Sequence, residues 1–263
     1  MHSTNSKPIG IFDSGVGGLS IWKEIQQLLP NESTLYLSDS KNAPYGPKGP
    51  RAILELSIKN TDWLIAQGCK LIVVACNTAT TNAVNTLRSN YSIPFIGIEP
   101  AIKPAALQSK TKAIGILATK GTLSSQLFHK TSQLYSSNMV VVEQVGNGLV
   151  ELIEQGRVNS KEMRVLLQSY LRPMIDAKID FLVLGCTHYR FLTPILKELL
   201  PMDVTIIDSA AAVAKQTKSV LEINSLSNDA SLKGEHRFYT NGDETVIRKF
   251  LSLEKAYIQK LDF

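Results

Sequence analysis

The sequence predicts an α/β protein built as two similar halves, each a mainly parallel sheet with helices on both faces. Three observations predict it. Short apolar runs rich in β-branched residues alternate with helical patterns. Some of these runs, LIVVA at 71–75 above all, are apolar at every position, as suits strands covered on both sides. Four strand-like runs then recur in the same order, about 104–109 residues further on.

Taken in order, Ile9–Phe12 reads as the first strand. Leu19–Leu29 follows as a helix, with apolar residues at 19, 21, 22, 25, 28 and 29 on one face and Pro30 to end it. Leu35–Leu37 is the next strand, Ala52–Ala66 an amphipathic helix, Leu71–Ala75 a buried strand and Phe95–Ile98 another. IGIF at 9 then matches IGIL at 114, and LYLSD at 35 matches MVVVE at 139. VVACNT at 73 matches LVLGCTH at 182, and FIGIEPA at 95 matches VTIIDSA at 204. One such match means little; four in register, with a cysteine at the same place in both halves, indicate a duplicated unit. Beyond 209 the pattern changes to a helix (Ala210–Leu221), a polar loop (225–234), a short strand (Arg237–Tyr239) and a final helix from Thr245 to Phe250 with Asp243 as N-cap. This tail belongs to neither repeat and is expected to pack back on one half.

Composition narrows the function classes. The chain has 263 residues, 44% hydrophobic and 19% charged, as in ordinary folded proteins. No apolar run approaches the roughly 18–20 residues of a membrane helix, and the polar start at 1–8 lacks a signal core, so a cytoplasmic protein is expected. The net charge is +5 and the pI about 9.0. Lys and Arg are scattered, which argues against nucleic acid as a main partner, while a mild positive field favours an acidic substrate. Cys69, Cys76 and Cys186 are too few for a disulfide scaffold, and His2, His129, His188 and His236 are far apart, so local spacing marks no zinc site, although distant ligands could converge. Oligomeric state stays open, a homodimer included.

The chemistry gathers at strand ends. Cys76 and Cys186 each follow a buried strand and precede a helix, the place where open α/β sheets bind ligands. A helix start there is expected to lower a thiol's pKa. Two packed halves would set the thiols on opposite sides of one cleft, which suits inversion of a carbon: one thiolate removes a proton and one thiol returns one to the other face. Donors are needed where carbanion-like charge grows. Each cysteine alone is more often a small buried hydrophobe, the reading given to Cys69; the matched pair, with Asn-Thr or Thr-His behind it, reverses this. Asp13-Ser14-Gly15-Val16-Gly17-Gly18 follows the first strand; its glycines let backbone N–H groups approach an anion, or simply make a tight turn. It lacks the nucleotide-loop spacing, since Ser20 stands where a glycine is required. Asp13 is placed to tune a thiol, Tyr45 to close a pocket, and Thr119 and Thr122 to bind a carboxylate or cap a helix. His188 is placed to assist Cys186, and Glu154 competes with Glu151 as an acidic partner; the bland alternatives are a satisfied histidine and solvated helix charges. One thiol acting as a hydrolase nucleophile with His188 and Asp13, or a plain carboxylate-binding module, are the rivals; they leave one or both thiols idle.

GIFDSGVGGLS at 10–20, NAPYG at 42–46, ACNTAT at 75–80 and LGCTHY at 184–189, jointly and in this order, resemble the glutamate racemases of the aspartate/glutamate racemase family. The resemblance runs from about residue 8 to 215. It implies two pseudo-symmetric three-layer domains, 99–208 inserted between 1–98 and 209–263, with the site in the cleft between them. It implies cofactor-free interconversion of L- and D-glutamate, supplying D-glutamate for peptidoglycan. By motif position, Cys76 would take the proton from the D-isomer with help from Asp13, and Cys186 from the L-isomer with help from His188 and Glu154. Substrate would touch Asp13, Ser14, Tyr45, Gly46, Asn77, Thr78, Thr187 and His188. Two departures stand out: Gly146-Asn147-Gly148 replaces a Cys-Pro segment, and Arg190 replaces a proline.

Overall fold

The structure, a computed structural model, describes residues 6–135, 138–228, 232–251 and 256–263; His2, most of the N-terminal tail and part of the 225–234 loop lie outside these. Among the described residues the strands form two sheets. In the first, β1 (Ile9–Asp13) lies between β2 (Thr34–Ser38) and β3 (Leu71–Val74), and β4 (Phe95–Gly97) closes one edge. In the second, β5 (Ala113–Ala118) lies between β6 (Val140–Val145) and β7 (Phe181–Gly185), with β8 (Thr205–Ile207) beyond β7. The orders β2-β1-β3-β4 and β6-β5-β7-β8 are the same, so the recurring runs occupy equivalent places. β1, β2, β3, β5 and β7 are buried at every position, the outcome their two-sided apolar pattern demands.

Helices bridge the parallel strands. α1 (Leu19–Leu28) buries Leu19, Ile21, Trp22 and Ile25 and stops just before Pro30. α2 (Pro50–Ala66) opens on a proline at its first turn, and Gly68 follows it at φ 80°. α3 (Asn77–Asn90) begins at Cys76. The second half carries α4 (Ile102–Gln108), α5 (Lys120–Leu123), α6 (Gln126–Tyr135), α7 (Leu149–Glu154), α8 (Lys161–Asp176) and α9 (Thr193–Leu199). One apolar cluster runs from β1 and α1 into α7 and α8, so the halves share packing. The chain crosses between them twice, and the Ser209 hydroxyl donates to the Glu99 carbonyl, tying the crossings together.

The tail joins the first half. α10 (Ala210–Ile223) packs along α1, and β9 (His236–Thr240) pairs in parallel with β2. α11 (Glu244–Leu251) begins as expected, with the Thr245 N–H donating to Asp243 at 2.9 Å. It is not the last element: β10 (Tyr257–Lys260) pairs with β9 and makes a six-stranded sheet. A buried ion pair fastens this return. Lys70 meets Glu32 at 2.7 Å and donates to the Leu226 carbonyl at 2.7 Å, while the Asn228 N–H donates to Glu32 at 2.7 Å.

Candidate active site

Each sheet ends in polar residues at its carboxyl edge, and these ends meet. The loop after β1 supplies Asp13 and Ser14; β3 delivers Cys76; β7 delivers Cys186; the end of α7 supplies Glu154. Cys76 caps α3, its sulfur accepting from the Ala79 N–H at 3.4 Å and donating to Ser14 Oγ at 3.6 Å. Cys186 precedes a 3-10 helix (Thr187–Leu192) rather than an α-helix, and its sulfur lies 3.8 Å from His188 Nδ1. Across the interface, Thr187 Oγ1 donates to Asp13 at 3.3 Å, and His188 Nε2 meets Glu154 at 2.6 Å. Glu154, and not Glu151, is therefore the carboxylate against His188.

The glycine loop holds an anion, and it is the protein's own. The Val16 N–H donates to Glu154 at 2.7 Å. A Cβ on Gly15 would sit 1.9 Å from Glu154 Oε1, and one on Gly17 2.3 Å from His188 Nδ1. Side chains of the other half press into the loop at Gly15 and Gly17, while Gly18 is crowded by Asp13, Tyr36 and Ala75 of its own half.

Burial dominates the electrostatics. It lifts Asp13 to about 6, against the opposing pull of His188. Burial lowers His188, but hydrogen bonds to Cys186 and Glu154 and the charge of Asp13 outweigh it, leaving the ring well above its ordinary range. Cys76 departs from expectation. Burial and the nearby Asp13 charge push its thiol up, and the hydrogen bonds from Ala79 and to Ser14 do not offset them. The helix start is present, but the wall around the sulfur is drier than the motif implied. Cys69, buried beneath Gly10, is pushed up to about 12 by burial and stays inert.

The thiols are buried, Cys76 4% and Cys186 8% exposed, and the charge of Cys186 adds to the upward push on Cys76. A narrow crevice beside Cys186 is also lined by Asn77 and Thr187. A cleft of about 390 Å³ opens between Pro44-Gly46-Pro47 and Thr119-Lys120 with 145–151. Cys76 lies in the wall of neither. Thr78 crosses between the halves to Thr119 at 2.7 Å and Thr122 at 3.3 Å; Thr119 also caps α5. The Tyr45 hydroxyl is turned inward, donating to Asp39 at 2.5 Å and accepting from Asn60 at 3.1 Å. Sequence reasoning missed Asp39, Ser40 (which donates to Glu154 at 2.8 Å) and Asn241; LYLSD contained Asp39, but nothing local marked its partners. Among the described residues no His, Cys, Asp and Glu group is arranged to hold a metal, and no helix is long and apolar enough to cross a membrane.

A profile of the Asp/Glu/Hydantoin racemase family matches residues 9–217, most of the chain and both cysteine strands. The chain belongs to that family. Within it, a glutamate racemase of Pseudomonas putida is 47% identical over 247 residues, covering 94% of this chain and 93% of the relative. Two solved racemases share the whole fold. The glutamate racemase of Francisella tularensis, in complex with D-glutamate, has a TM-score of 0.84 at 30% identity, over 98% of both chains. That of Escherichia coli, in complex with L-glutamate and the activator UDP-MurNAc-Ala, has a TM-score of 0.83 at 31% identity, over 97% of this chain and 98% of the other.

Proposed function

We propose that the protein interconverts L- and D-glutamate by proton transfer at the α-carbon, with Cys76 and Cys186 as the two bases and no cofactor. The observation that carries this reading is that the two thiols stand at equivalent strand ends of two matching sheets and are both tied, through Ser14, Asp13 and Thr187, to one loop. A thiolate on one side takes the α-proton; the thiol on the other gives its own proton to the opposite face. The result is the mirror-image substrate and a pair with exchanged protonation, so the site is ready for the reverse direction. Cys76 serves the D-isomer with Asp13 beside it, and an Asp13 near 6 can hold or release a proton near neutrality. Cys186 serves the L-isomer with His188 and Glu154 behind it.

Ser14, Asn77, Thr78, Thr187 and the turn at Tyr45-Gly46 surround the substrate; with the Tyr45 hydroxyl committed to Asp39, that turn contributes ring and backbone. Thr119 and Thr122 add hydroxyls for a distal carboxylate. Glutamate is favoured over aspartate by relatives named for glutamate and bound to both of its isomers. Because both sulfurs are buried, substrate enters when the halves part, and we place the division at the crossings: 1–98 with 209–263, against 99–208. The product would feed peptidoglycan synthesis in the cytoplasm.

Incubation of each glutamate enantiomer in deuterated water tests the reading. Racemisation gives decay of optical activity from either side and deuterium at the α-carbon. A covalent adduct on one cysteine with no α-deuteration would make the protein a hydrolase instead.

A further inference from the structure

Asp39 is a carboxylate 1% exposed, and the described residues around it offer neutral donors. Tyr45 OH donates to it at 2.5 Å, Asn42 Nδ2 at 2.8 Å and Asn241 Nδ2 at 2.5 Å. A buried carboxylate stays in place only when such donors are in place. Asn241 comes from the end of β9, in the tail that repeats neither half. Both ends of its amide are used, because Oδ1 accepts from the Lys41 N–H at 2.9 Å while Nδ2 reaches Asp39. Its backbone N–H donates to the Ser38 carbonyl at 3.3 Å. One side chain therefore spans the turn from Asp39 to Lys41. That turn presents Gly46 to the cleft, with Tyr45 buried beside it, and Ser40 to Glu154.

We infer that Asn241 is a positioning residue of the site: through Asp39, the end of β9 holds Tyr45 and so fixes where the adjoining Gly46 stands against the substrate. This rests on the proposed reading of the cleft. A carboxamide suits the task because it donates and accepts at once. An aspartate at 241 loses the donor when ionised and sets two carboxylates face to face, and such a pair takes up a proton as pH falls. The titratable groups facing the Tyr45 hydroxyl are Asp39 and Cys76. Asp39 is further joined to Asp13 by backbone, and Glu154 lies beyond Ser40.

The test uses the full chain carrying Asn241→Ala or Asn241→Asp, with steady-state kinetics in both directions across pH and carbon-13 NMR of Cζ-labelled tyrosine, Tyr45 assigned through Tyr45→Phe. Asn241→Ala is expected to raise KM about tenfold while kcat stays within about twofold. Asn241→Asp is expected to show a similar rise at alkaline pH that recovers toward wild type on acidification, with the Tyr45 resonance moving at the same midpoint. An unchanged KM in both variants overturns the inference. So does an equal fall in kcat and kcat/KM without pH dependence, which general loosening would give. If wild-type protein racemises nothing, the proposed reaction fails, yet the Tyr45 resonance still judges the Asn241–Asp39–Tyr45 linkage.

Discussion

Between the ordinary carboxylate range and about 6, folded protein keeps a proton on Asp13 that the unfolded chain has released. The folded form binds more protons in that window, so this residue's contribution to stability falls as pH rises through it, and the loss persists above. Asp13→Asn removes the buried charge. It is expected to raise stability at neutral pH by on the order of 2 kcal/mol, with the advantage shrinking as pH falls through about 6 and gone near the ordinary carboxylate range, while turnover drops; paired urea melts and racemase assays check both. Cys76→Ser and Cys186→Ser are each expected to cut turnover by about a thousandfold or more, and full activity in either sinks the two-base scheme. Both cysteines, Asp13 and His188 could be singled out because each sits inside a motif at a strand end; Glu154 came only through the resemblance, with Glu151 open beside it. The raised Cys76 pKa was not, because dryness is a property of the assembled wall. Ser40 and Asn241 were not, because they reach the site across a strand pairing and a domain interface that no local pattern encodes.

The loop 13–18 shows how one element answers to another far away in sequence. A methyl on Gly17 would meet the backbone nitrogen of His188 at 2.6 Å as well as its ring, so accommodation requires the two halves to shift apart. Gly17→Ala is expected to lower turnover about a hundredfold with far-ultraviolet circular dichroism unchanged; wild-type activity would mean the halves do not close as described. The strands were readable from two-sided apolar runs and the main helices of the first half from their periodicity. β10 was not: four residues at a sheet edge, Tyr257–Lys260, carry no alternation and become a strand only because β9 offers them a partner. The 3-10 start after Cys186 was likewise invisible, since Thr187–Leu192 contains nothing that forbids an α-helix.

At the scale of the molecule, the repeat in the sequence revealed the duplicated sheets; it left the tail's destination open, which the resemblance implied and the pairing of β9 with β2 places on the first half. That destination is secured by Lys70 and Glu32. Lys70→Met leaves Glu32 buried without its cation and is expected to cost about 3–5 kcal/mol in urea unfolding; a change well below this would mean the tail is held by apolar packing alone. The two cysteine sites are equivalent in topology yet unlike in chemistry, with a carboxyl group beside Cys76 and an imidazole backed by a carboxylate beside Cys186. Mirror-image molecules have equal free energies in water. Under the proposed activity, the specificity constants for the two hands must therefore be identical, however lopsided their surroundings. The imbalance has one outlet: the hand that saturates the protein at lower concentration must also be processed more slowly once saturated.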